Sequence, residues 1–438
     1  MLTKLKRLGH WFIAIGAYWF YGRPSRHLVV IGVTGTKGKS STCSFIASVL
    51  KAGGFKVGLL STIEIEINNE IIRNKNQMTM LGRGQIQKYL ARMLKAGCQY
   101  AVIETSSEGI LQHRHLGLNY DIVVFTNLGS EHHERHGGFL NLKRDKGKIF
   151  AGLERSFPKI LGGRRVKKTI IANVDSSDAE YFLKFSAAVK LGFSIKNANP
   201  GASALCSQVF TAKNISSHDA GADFEVFGNR YHLEMLGEFN IYNALPAIAI
   251  GDAIGLAPEQ IKLGLNSVKQ ILGRLQFINV GQPFSFVVDY AHEVISLTAL
   301  FNALRPLVKP PGKLIGIIGS DGGGRDKSKR FNMGAVAGEL CDYVIITDVN
   351  PWDEDSEEIA QMLAAGVRSS GQVDNKNLHI IIDRRAAIKE SFNLAGVGGV
   401  VALTAKGTET AIIGKNGQRL AWDDAGIATE LLRRFLNN

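Results

Sequence analysis

One short stretch near the N-terminus constrains the fold more than any other part of the chain. The apolar run Leu28 to Gly32 predicts a buried strand, and Ser41 to Ala52 has the periodicity of a helix. The glycine-rich loop between them, residues 35–40, lets the backbone approach an anion, and the N-terminus of the following helix favours negative charge. Lys39 can reach the outer phosphates of a nucleotide, and the Ser40 hydroxyl can ligate magnesium. The stretch therefore predicts a phosphate-binding loop, although the strict pattern begins with a glycine that this chain lacks.

The other apolar runs predict an α/β chain with two sheet-containing domains. In the first half, the Ile-Glu alternation at 63–67 followed by Asn68-Asn69 predicts a hairpin, and Gln85 to Ala96 predicts an amphipathic helix. The weaker pattern at 190–235 predicts a peripheral, partly antiparallel insertion. Apolar runs typical of strands buried on both faces are 57–61, 100–103, 122–125, 286–288, 314–318, 343–347, 379–382 and 400–404.

These patterns predict a central P-loop domain with a mostly parallel sheet at 28–273 and a C-terminal doubly wound, Rossmann-like domain at 274–438. Residues 1–27 precede them as an aromatic helix, in which three basic residues come before an apolar run from Trp11 to Tyr21. That run is too short to span a membrane. Two interpretations stay open, an interfacial helix with its aromatic residues among lipid headgroups or a helix packed against the protein. In either case Pro24 is expected to end it.

The composition limits the classes of partner that this chain is expected to bind. The net charge of +13 is scattered over the chain, and no aromatic pattern accompanies its short basic clusters, so nucleic acid is not expected. A soluble basic protein and a protein that binds an anionic substrate both fit this charge. The four cysteines lie far apart without metal-ligand spacing, and the sequence has no secretory signal. We therefore expect a cytoplasmic protein, membrane-peripheral if the first helix is interfacial.

Two further motifs offer metal ligands. Glu104 follows the apolar run that ends at Ile103, and a carboxylate at a strand end near a P-loop can hold magnesium. The segment 131–136 has three histidines in five residues, which suggests metal ligation. Zinc is the usual partner of clustered histidines, but no cysteine joins them and magnesium fits an ATP site better.

Taken in order, the motifs resemble those of the Mur ligase superfamily, and most closely its UDP-N-acetylmuramoyl-tripeptide synthetases. The resemblance extends from Leu28 to the C-terminus. The motifs are GTKGKSS at 35–41, ETSSEG at 104–109, VFTNL at 124–128, EHHERHG at 131–137, GEFNIYNAL at 237–245, GR at 273–274, DYAH at 289–292, GRDKSKR at 324–330, TDVNP at 347–351 and KGTET at 406–410.

The resemblance implies an ADP-forming ligase that uses ATP to join an amino acid to a carboxylate of a muramyl-peptide-like peptidoglycan precursor through an acyl phosphate. The ATP-binding residues that it implies are Gly35, Thr36, Lys37, Gly38, Lys39, Ser40, Ser41, Asn243, Arg274, Asp289 and His292. It implies acyl-substrate contacts at Thr79, Ser106 and Arg114, and amino-acid contacts at Arg325, Asn350 and Glu409. Two magnesium ions would be held by Ser40, Glu104, His132 and Lys146, with Lys146 carboxylated on its side-chain nitrogen. Catalysis would rest on Lys39, Glu104, His132 and Lys146.

The chain also departs from the family pattern. The tripeptide synthetases carry an N-terminal domain that binds uridine diphosphate, where this sequence has residues 1–27. Trp352 stands where the diaminopimelate-adding members have arginine, and Thr408 and Glu108 stand where the family has histidine. A folylpolyglutamate-synthase-like ligase and a non-catalytic, membrane-associated nucleotide-binding scaffold are the alternatives. We expect a monomer whose partners are ATP, an amino acid and the acyl acceptor.

Overall fold

The structure is a computed structural model that describes residues 2–74, 78–82, 84–129, 137–196 and 198–437, with the backbone alone for residues 2–8. The chain divides into two compact units, and each is described by itself. The first comprises Met1–Ser217, Gly221–Glu234 and Glu238–Lys269, and the second comprises His218–Ala220, Met235–Gly237 and Gln270–Asn438.

Among its described residues, the N-terminal part of the chain has nine α-helices and fourteen strands. The helices are α1 (Leu2–Phe20), α2 (Lys39–Ala52), α3 (Gln85–Lys95), α4 (Ser107–Leu111), α5 (Phe139–Glu154), α6 (Ala179–Leu183), α7 (Pro200–Ala204), α8 (Glu238–Ala253) and α9 (Pro258–Asn266). The strands are β1 (Val29–Thr34), β2 (Val57–Leu60), β3 (Glu64–Ile67), β4 (Glu70–Arg73), β5 (Tyr100–Glu104), β6 (Ile122–Phe125), β7 (Ile160–Leu161), β8 (Arg164–Arg165), β9 (Thr169–Asn173), β10 (Val189–Ser194), β11 (Gln208–Thr211), β12 (Lys213–His218), β13 (Gly221–Val226) and β14 (Asn229–Leu233).

The main sheet of the first unit has nine strands in the order β11-β10-β9-β6-β1-β5-β2-β3-β4. The strands from β11 to β2 are parallel, and β3 and β4 complete it as an antiparallel hairpin. Every residue of β1 is buried, which explains its continuous apolar sequence. Val33 pairs with Glu104 on one side of β1, and Thr34 pairs with Phe125 on the other. The carboxyl ends of these three strands therefore meet at one edge of the sheet.

The predicted parallel strands and the hairpin are confirmed. Asn68 and Asn69 have φ values of 47° and 73°, the left-handed pair that a two-residue hairpin turn requires. The prediction for residues 190–235 was only partly right. β10 and β11 extend the main sheet in parallel beyond β9, whereas β12, β13 and β14 form a separate three-stranded sheet. The apolar runs of β10 and β11 are too short to distinguish a central strand from a peripheral one.

The second unit is a smaller α/β sandwich. Its helices are α10 (Val294–Leu304), α11 (Ser328–Leu340), α12 (Ser356–Ser369), α13 (Arg384–Ala395) and α14 (Asp424–Leu436). Its strands are β15 (Gln276–Ile278), β16 (Ser285–Val288), β17 (Leu314–Ile318), β18 (Tyr343–Ile346), β19 (Leu378–Ile380), β20 (Val400–Leu403), β21 (Ala411–Ile413) and β22 (Arg419–Ala421). The main sheet runs β15-β16-β20-β17-β18-β19, in which β15 is antiparallel and the other five strands are the predicted parallel ones.

The first helix ends earlier than predicted. α1 stops at Phe20, where Gly22 and Arg23 take positive φ values of 72° and 55°, and Pro24 instead begins a short 3-10 helix. Glycine reverses the chain here at no steric cost, so the proline is not needed as the terminator. Within the described residues, no helix is both long and apolar enough to cross a membrane.

Candidate active site

The glycine-rich loop lies between β1 and α2 and is fastened to the end of β6. The backbone N–H groups of Thr36 and Lys37 donate to Asn127 O and Oδ1, at 3.0 and 2.9 Å. The Thr126 hydroxyl donates to Lys37 O at 2.7 Å, and the N–H of Gly129 donates to the Thr36 hydroxyl at 2.9 Å. Thr126 and Asn127 belong to the VFTNL motif but were given no role from sequence; their position directly after a buried strand was the available signal.

Two glycines of this loop stand where a side chain would not fit. Gly35 has φ 155°, and a Cβ there would overlap Thr126 Oγ1. Gly38 has φ 79°, and a Cβ there would overlap Oδ1 of Asn243 from α8. Gly38 is also the N-cap of α2, and since glycine has no side chain, it cannot cap the first N–H groups of that helix. The N-terminus of α2 therefore has no side-chain cap, and an uncapped helix N-terminus favours an anion.

Glu104 is the carboxylate of this site. It is 2% exposed at the end of β5, and its Oε2 accepts hydrogen bonds from the Ser40 hydroxyl at 3.0 Å and from the Thr62 N–H and hydroxyl at 2.7 and 2.9 Å. The Thr62 hydroxyl lies 3.0 Å from that of Thr79, so Thr62 bridges the carboxylate and a predicted acyl-substrate residue. Sequence reasoning missed Thr62, because the loop after β2 carries no recognisable motif.

Two lysines lie close to the same loop. Lys39 Nζ donates to Thr36 O at 2.9 Å. Lys146 is 3% exposed on α5, and its Nζ donates to Gly35 O at 2.8 Å. The sequence alone would suggest a solvated helix lysine at position 146, yet the fold buries it against the loop. Burial, followed by the charge of Glu104, raises the pKa of the nearby Cys43 thiol well above its usual range, so this cysteine is an inert core residue.

The other predicted acyl-substrate residues lie on the segment after β5. Ser106 is the N-cap of α4, where its hydroxyl accepts from the N–H of Gly109 at 3.1 Å. The Arg114 guanidinium donates to Met80 O and to Gln112 Oε1, and burial lowers its pKa. His115 follows it with a buried Nδ1 that has no hydrogen-bond partner in the described structure, and burial lowers its pKa to about 4.

In the second unit, a buried network joins two of the predicted amino-acid contacts. Asn350 donates to Asp321 Oδ1 and to Glu409 Oε2, both at 2.9 Å. Lys406 Nζ donates to Asn350 Oδ1, Glu409 Oε2 and two backbone carbonyls at 2.8–3.3 Å. Burial lowers the pKa of Lys406, while Glu409 raises it. The network holds the Glu409 carboxylate beside Asn350, and it depends on Lys406, to which the sequence analysis assigned no role.

Tyr290 connects the same region to the predicted nucleotide residues of this unit. Arg274 Cζ lies 4.6 Å from the centre of the Tyr290 ring, and the His292 ring packs edge-on against it at 4.7 Å. Burial raises the pKa of Tyr290, and Glu409 raises it further while Arg274 opposes the shift. Arg325 also lowers this pKa, which places its charge in the same neighbourhood.

Asp289, a further predicted nucleotide residue, accepts two backbone hydrogen bonds. Its two carboxylate oxygens accept the N–H groups of Leu275 and Ala291, each at 2.7 Å, so it holds the backbone on both sides of the site. Leu275 and Ala291 are the chain neighbours of Arg274 and His292, so Asp289 fixes the backbone beside these two residues. His132, the predicted ligand of the second magnesium ion, lies outside the described residues.

The donor set fits a magnesium ion in part. Ser40 Oγ and Glu104 Oε2 are oxygen atoms 3.0 Å apart, as a hard cation at the loop would require. Lys146 as an ammonium repels a cation and offers it no lone pair. It could serve as a ligand only after conversion to an anionic, oxygen-bearing group.

Comparison with known proteins identifies the family of this chain. The Mur ligase middle domain model matches residues 33–251, and the model for the Mur ligase glutamate ligase domain matches residues 273–407. A UDP-N-acetylmuramyl-tripeptide synthetase of Roseiflexus sp. (strain RS-1) is 34% identical over 421 residues, covering 94% of this chain and 80% of the relative.

Two solved structures share the fold. A UDP-N-acetylmuramoyl-L-alanyl-D-glutamate--2,6-diaminopimelate ligase superposes with a TM-score of 0.62 at 26% identity, over 94% of this chain and 79% of the other. The Mycobacterium tuberculosis folylpolyglutamate synthase complexed with ADP and AMPPCP superposes with a TM-score of 0.66 at 15% identity, over 97% and 95%, and shows the fold alone. The chain therefore belongs to the Mur ligase family and is a ligase of that type, in a family whose members use ATP and magnesium.

Proposed function

We propose that this chain adds an amino acid to a carboxylate of a muramyl-peptide-like peptidoglycan precursor, with ATP as the energy source. The observation that supports it most is the meeting of Lys39, Ser40, Glu104 and Lys146 at one glycine-rich loop. The substrate class is supported by the muramyl-tripeptide synthetase with which the chain shares 34% identity. The ATP site would lie in the domain at 28–273 and the amino-acid site in the domain at 274–438.

In the first step, a carboxylate oxygen of the acyl substrate attacks the γ-phosphorus of ATP, the bond to the β–γ bridging oxygen breaks, and ADP and an acyl phosphate form. The loop N–H groups, the N-terminus of α2 and Lys39 would hold the phosphates. Thr79, Ser106 and Arg114 would position the acyl carboxylate. The chain would mainly orient the reactants. Its positively charged and N–H groups, already in place before the reaction, would stabilise the negative charge on the phosphates.

In the second step, the amine of the amino acid attacks the acyl carbon, and inorganic phosphate leaves from a tetrahedral intermediate. Arg325 would bind the carboxylate of the amino acid, and Glu409, held by Asn350 and Lys406, would bind an ammonium group of it. Arg274 and His292 would contribute to nucleotide binding.

We also propose two magnesium sites, which when filled would neutralise phosphate oxygens. Ser40 and Glu104 would hold one ion, and His132 with Lys146 as a carbamate would hold the other. The Lys146 ammonium first loses one proton; carbon dioxide then adds to the neutral Nζ with loss of a second proton, which leaves a carbamate anion with two oxygens. Incubation with ¹³C-bicarbonate should then give a carbamate carbon resonance that Lys146→Arg lacks and Lys143→Arg retains. A wild-type spectrum without that resonance under turnover conditions would contradict the modification.

An ADP-release screen tests the function itself. Muramyl dipeptide acceptors are paired with lysine, ornithine and diaminopimelate, and folate is paired with glutamate in parallel. We expect turnover only with a muramyl acceptor and loss of turnover in Lys146→Ala. Turnover with folate alone would establish the folylpolyglutamate-type activity, and ATP binding without any turnover would establish a scaffold.

The remaining expectations concern where the chain works. We propose a cytoplasmic monomer that touches the membrane surface only through α1. Light scattering at micromolar concentration would test the first part, since a dimer mass would contradict it.

A further inference from the structure

The N-terminal segment, residues 1–27, has basic side chains and no acidic ones. Residues 1–27 contain five lysines and arginines and no aspartate or glutamate, and the first acidic residue of the whole chain is Glu64. Arg23 lies three residues beyond the end of α1, with its guanidinium 4.7 Å from the centre of the Trp19 ring. A segment of this composition is attracted to an anionic surface and repelled by a basic one.

One face of α1 exposes large apolar side chains to solvent. Phe12 and Trp19 are each 60% exposed, and Ile13 and Phe20 are 46% and 80% exposed. Each pair is separated by seven residues, nearly two helical turns, so the four side chains share one face. Aromatic side chains of this kind favour the interface between lipid headgroups and acyl chains.

The opposite face of α1 is fastened to the part of the first unit that carries Arg114. Tyr18 is buried against Gly117, and its hydroxyl accepts from Asn119 Nδ2 at 3.2 Å. In the short 3-10 helix that follows α1, the Ser25 hydroxyl donates to Gly117 O at 2.7 Å and accepts from Asn119 Nδ2 at 2.9 Å. Arg114 lies three residues before Gly117 in this segment. The exposed aromatic face is thus carried by the same segment as a proposed acyl-substrate contact.

We propose that α1 docks on an anionic lipid bilayer and holds the acyl-substrate end of the site at the membrane surface. A bilayer fits better than a second copy of the chain, because two copies would oppose five cationic side chains with five more. On the basis of the proposed ligase function, the acyl acceptor is then a muramyl peptide carried on a lipid.

Vesicle flotation tests the docking. The full chain should float with vesicles of equal parts phosphatidylglycerol and phosphatidylcholine, and roughly tenfold less with phosphatidylcholine alone or in high salt. The double variant Phe12→Ser/Trp19→Ser, which leaves Tyr18 in place, should lose about tenfold of this binding. Leu263→Ser is the matched control, because Leu263 is an apolar helix residue that is 63% exposed elsewhere in the first unit. Absence of wild-type binding, or equal binding by the double variant, would overturn the docking, as would a dimer that the double variant abolishes.

Turnover separates the two proposals. A muramyl dipeptide carried on a polyprenyl lipid in the anionic vesicles is compared with the same dipeptide linked to UDP in solution. We expect the double variant to lose about tenfold in kcat/KM on the vesicle-borne acceptor and to match wild type on the soluble one. Equal loss on both acceptors would overturn the membrane role, while no turnover by wild type on either would refute the ligase proposal and leave the flotation result standing.

Discussion

Replacement of Glu104 by glutamine tests the core of the proposed site. Glu104 Oε2 accepts three hydrogen bonds, from the Ser40 hydroxyl at 3.0 Å and from two donors of Thr62 at 2.7 and 2.9 Å. The glutamine oxygen keeps the shape and can accept all three, so the free energy of unfolding should fall by only about 1–2 kcal/mol as charged acceptors become neutral. The anionic magnesium ligand is lost outright. We expect kcat to fall by about 10²–10³-fold, equivalent to about 2.7–4 kcal/mol of transition-state stabilisation.

The assay is ADP release as a function of magnesium concentration. In Glu104→Gln, the magnesium midpoint should rise together with the loss in kcat, while the melting temperature without magnesium changes little. Thr62→Val is the control, because it removes one hydrogen bond to the carboxylate but keeps the charge and the Thr62 N–H, and its kcat should fall less than about tenfold. If Glu104→Gln kept kcat within about threefold of wild type at an unchanged magnesium midpoint, Glu104 would not be a magnesium ligand.

Three further changes probe the loop, the second unit and the acyl segment. Gly38→Ala should weaken ATP binding by at least about tenfold in a fluorescent-nucleotide titration, because its Cβ would overlap Asn243 Oδ1; Gly54→Ala, at φ 85° with open space, should not. Lys406→Met leaves buried acceptors without their donor, so denaturant unfolding should show a loss of about 3–5 kcal/mol. Burial lowers the pKa of His115 from 6.5 to about 4. Between these two pH values the unfolded chain binds a proton that the native chain does not, so the free energy of unfolding falls as the pH drops from 6.5 toward 4. Between pH 7 and pH 5, the free energy of unfolding of His115→Leu should fall by about 2 kcal/mol less than that of wild type. Identical thermal melts of variant and wild type at pH 7 and at pH 5 would contradict this.

Local sequence patterns predicted the elements that depend on local physics. β1 could be identified because a strand buried on both faces must be apolar throughout, and the Asn68-Asn69 turn because few residues adopt two successive left-handed conformations. Contacts between distant segments left no such pattern. Thr62 reaches Glu104 across 42 residues, and only the adjacency of β2 and β5 brings them together.

Burial decided the remaining features of the site. Lys146 and Lys406 are charged residues that sequence statistics place at the surface, yet both are buried, and each donates to an acceptor from a distant segment, Gly35 O and Asn350 Oδ1 respectively. The motifs did determine the family, because each motif is short and contiguous. The sequence by itself therefore determined the α/β ligase fold, and it predicted a phosphate-binding loop. Only the tertiary structure decided which groups surround that loop. It also decided that α1 packs against the residues that follow Arg114 and leaves its aromatic face exposed. Both features depend on packing between residues far apart in the chain.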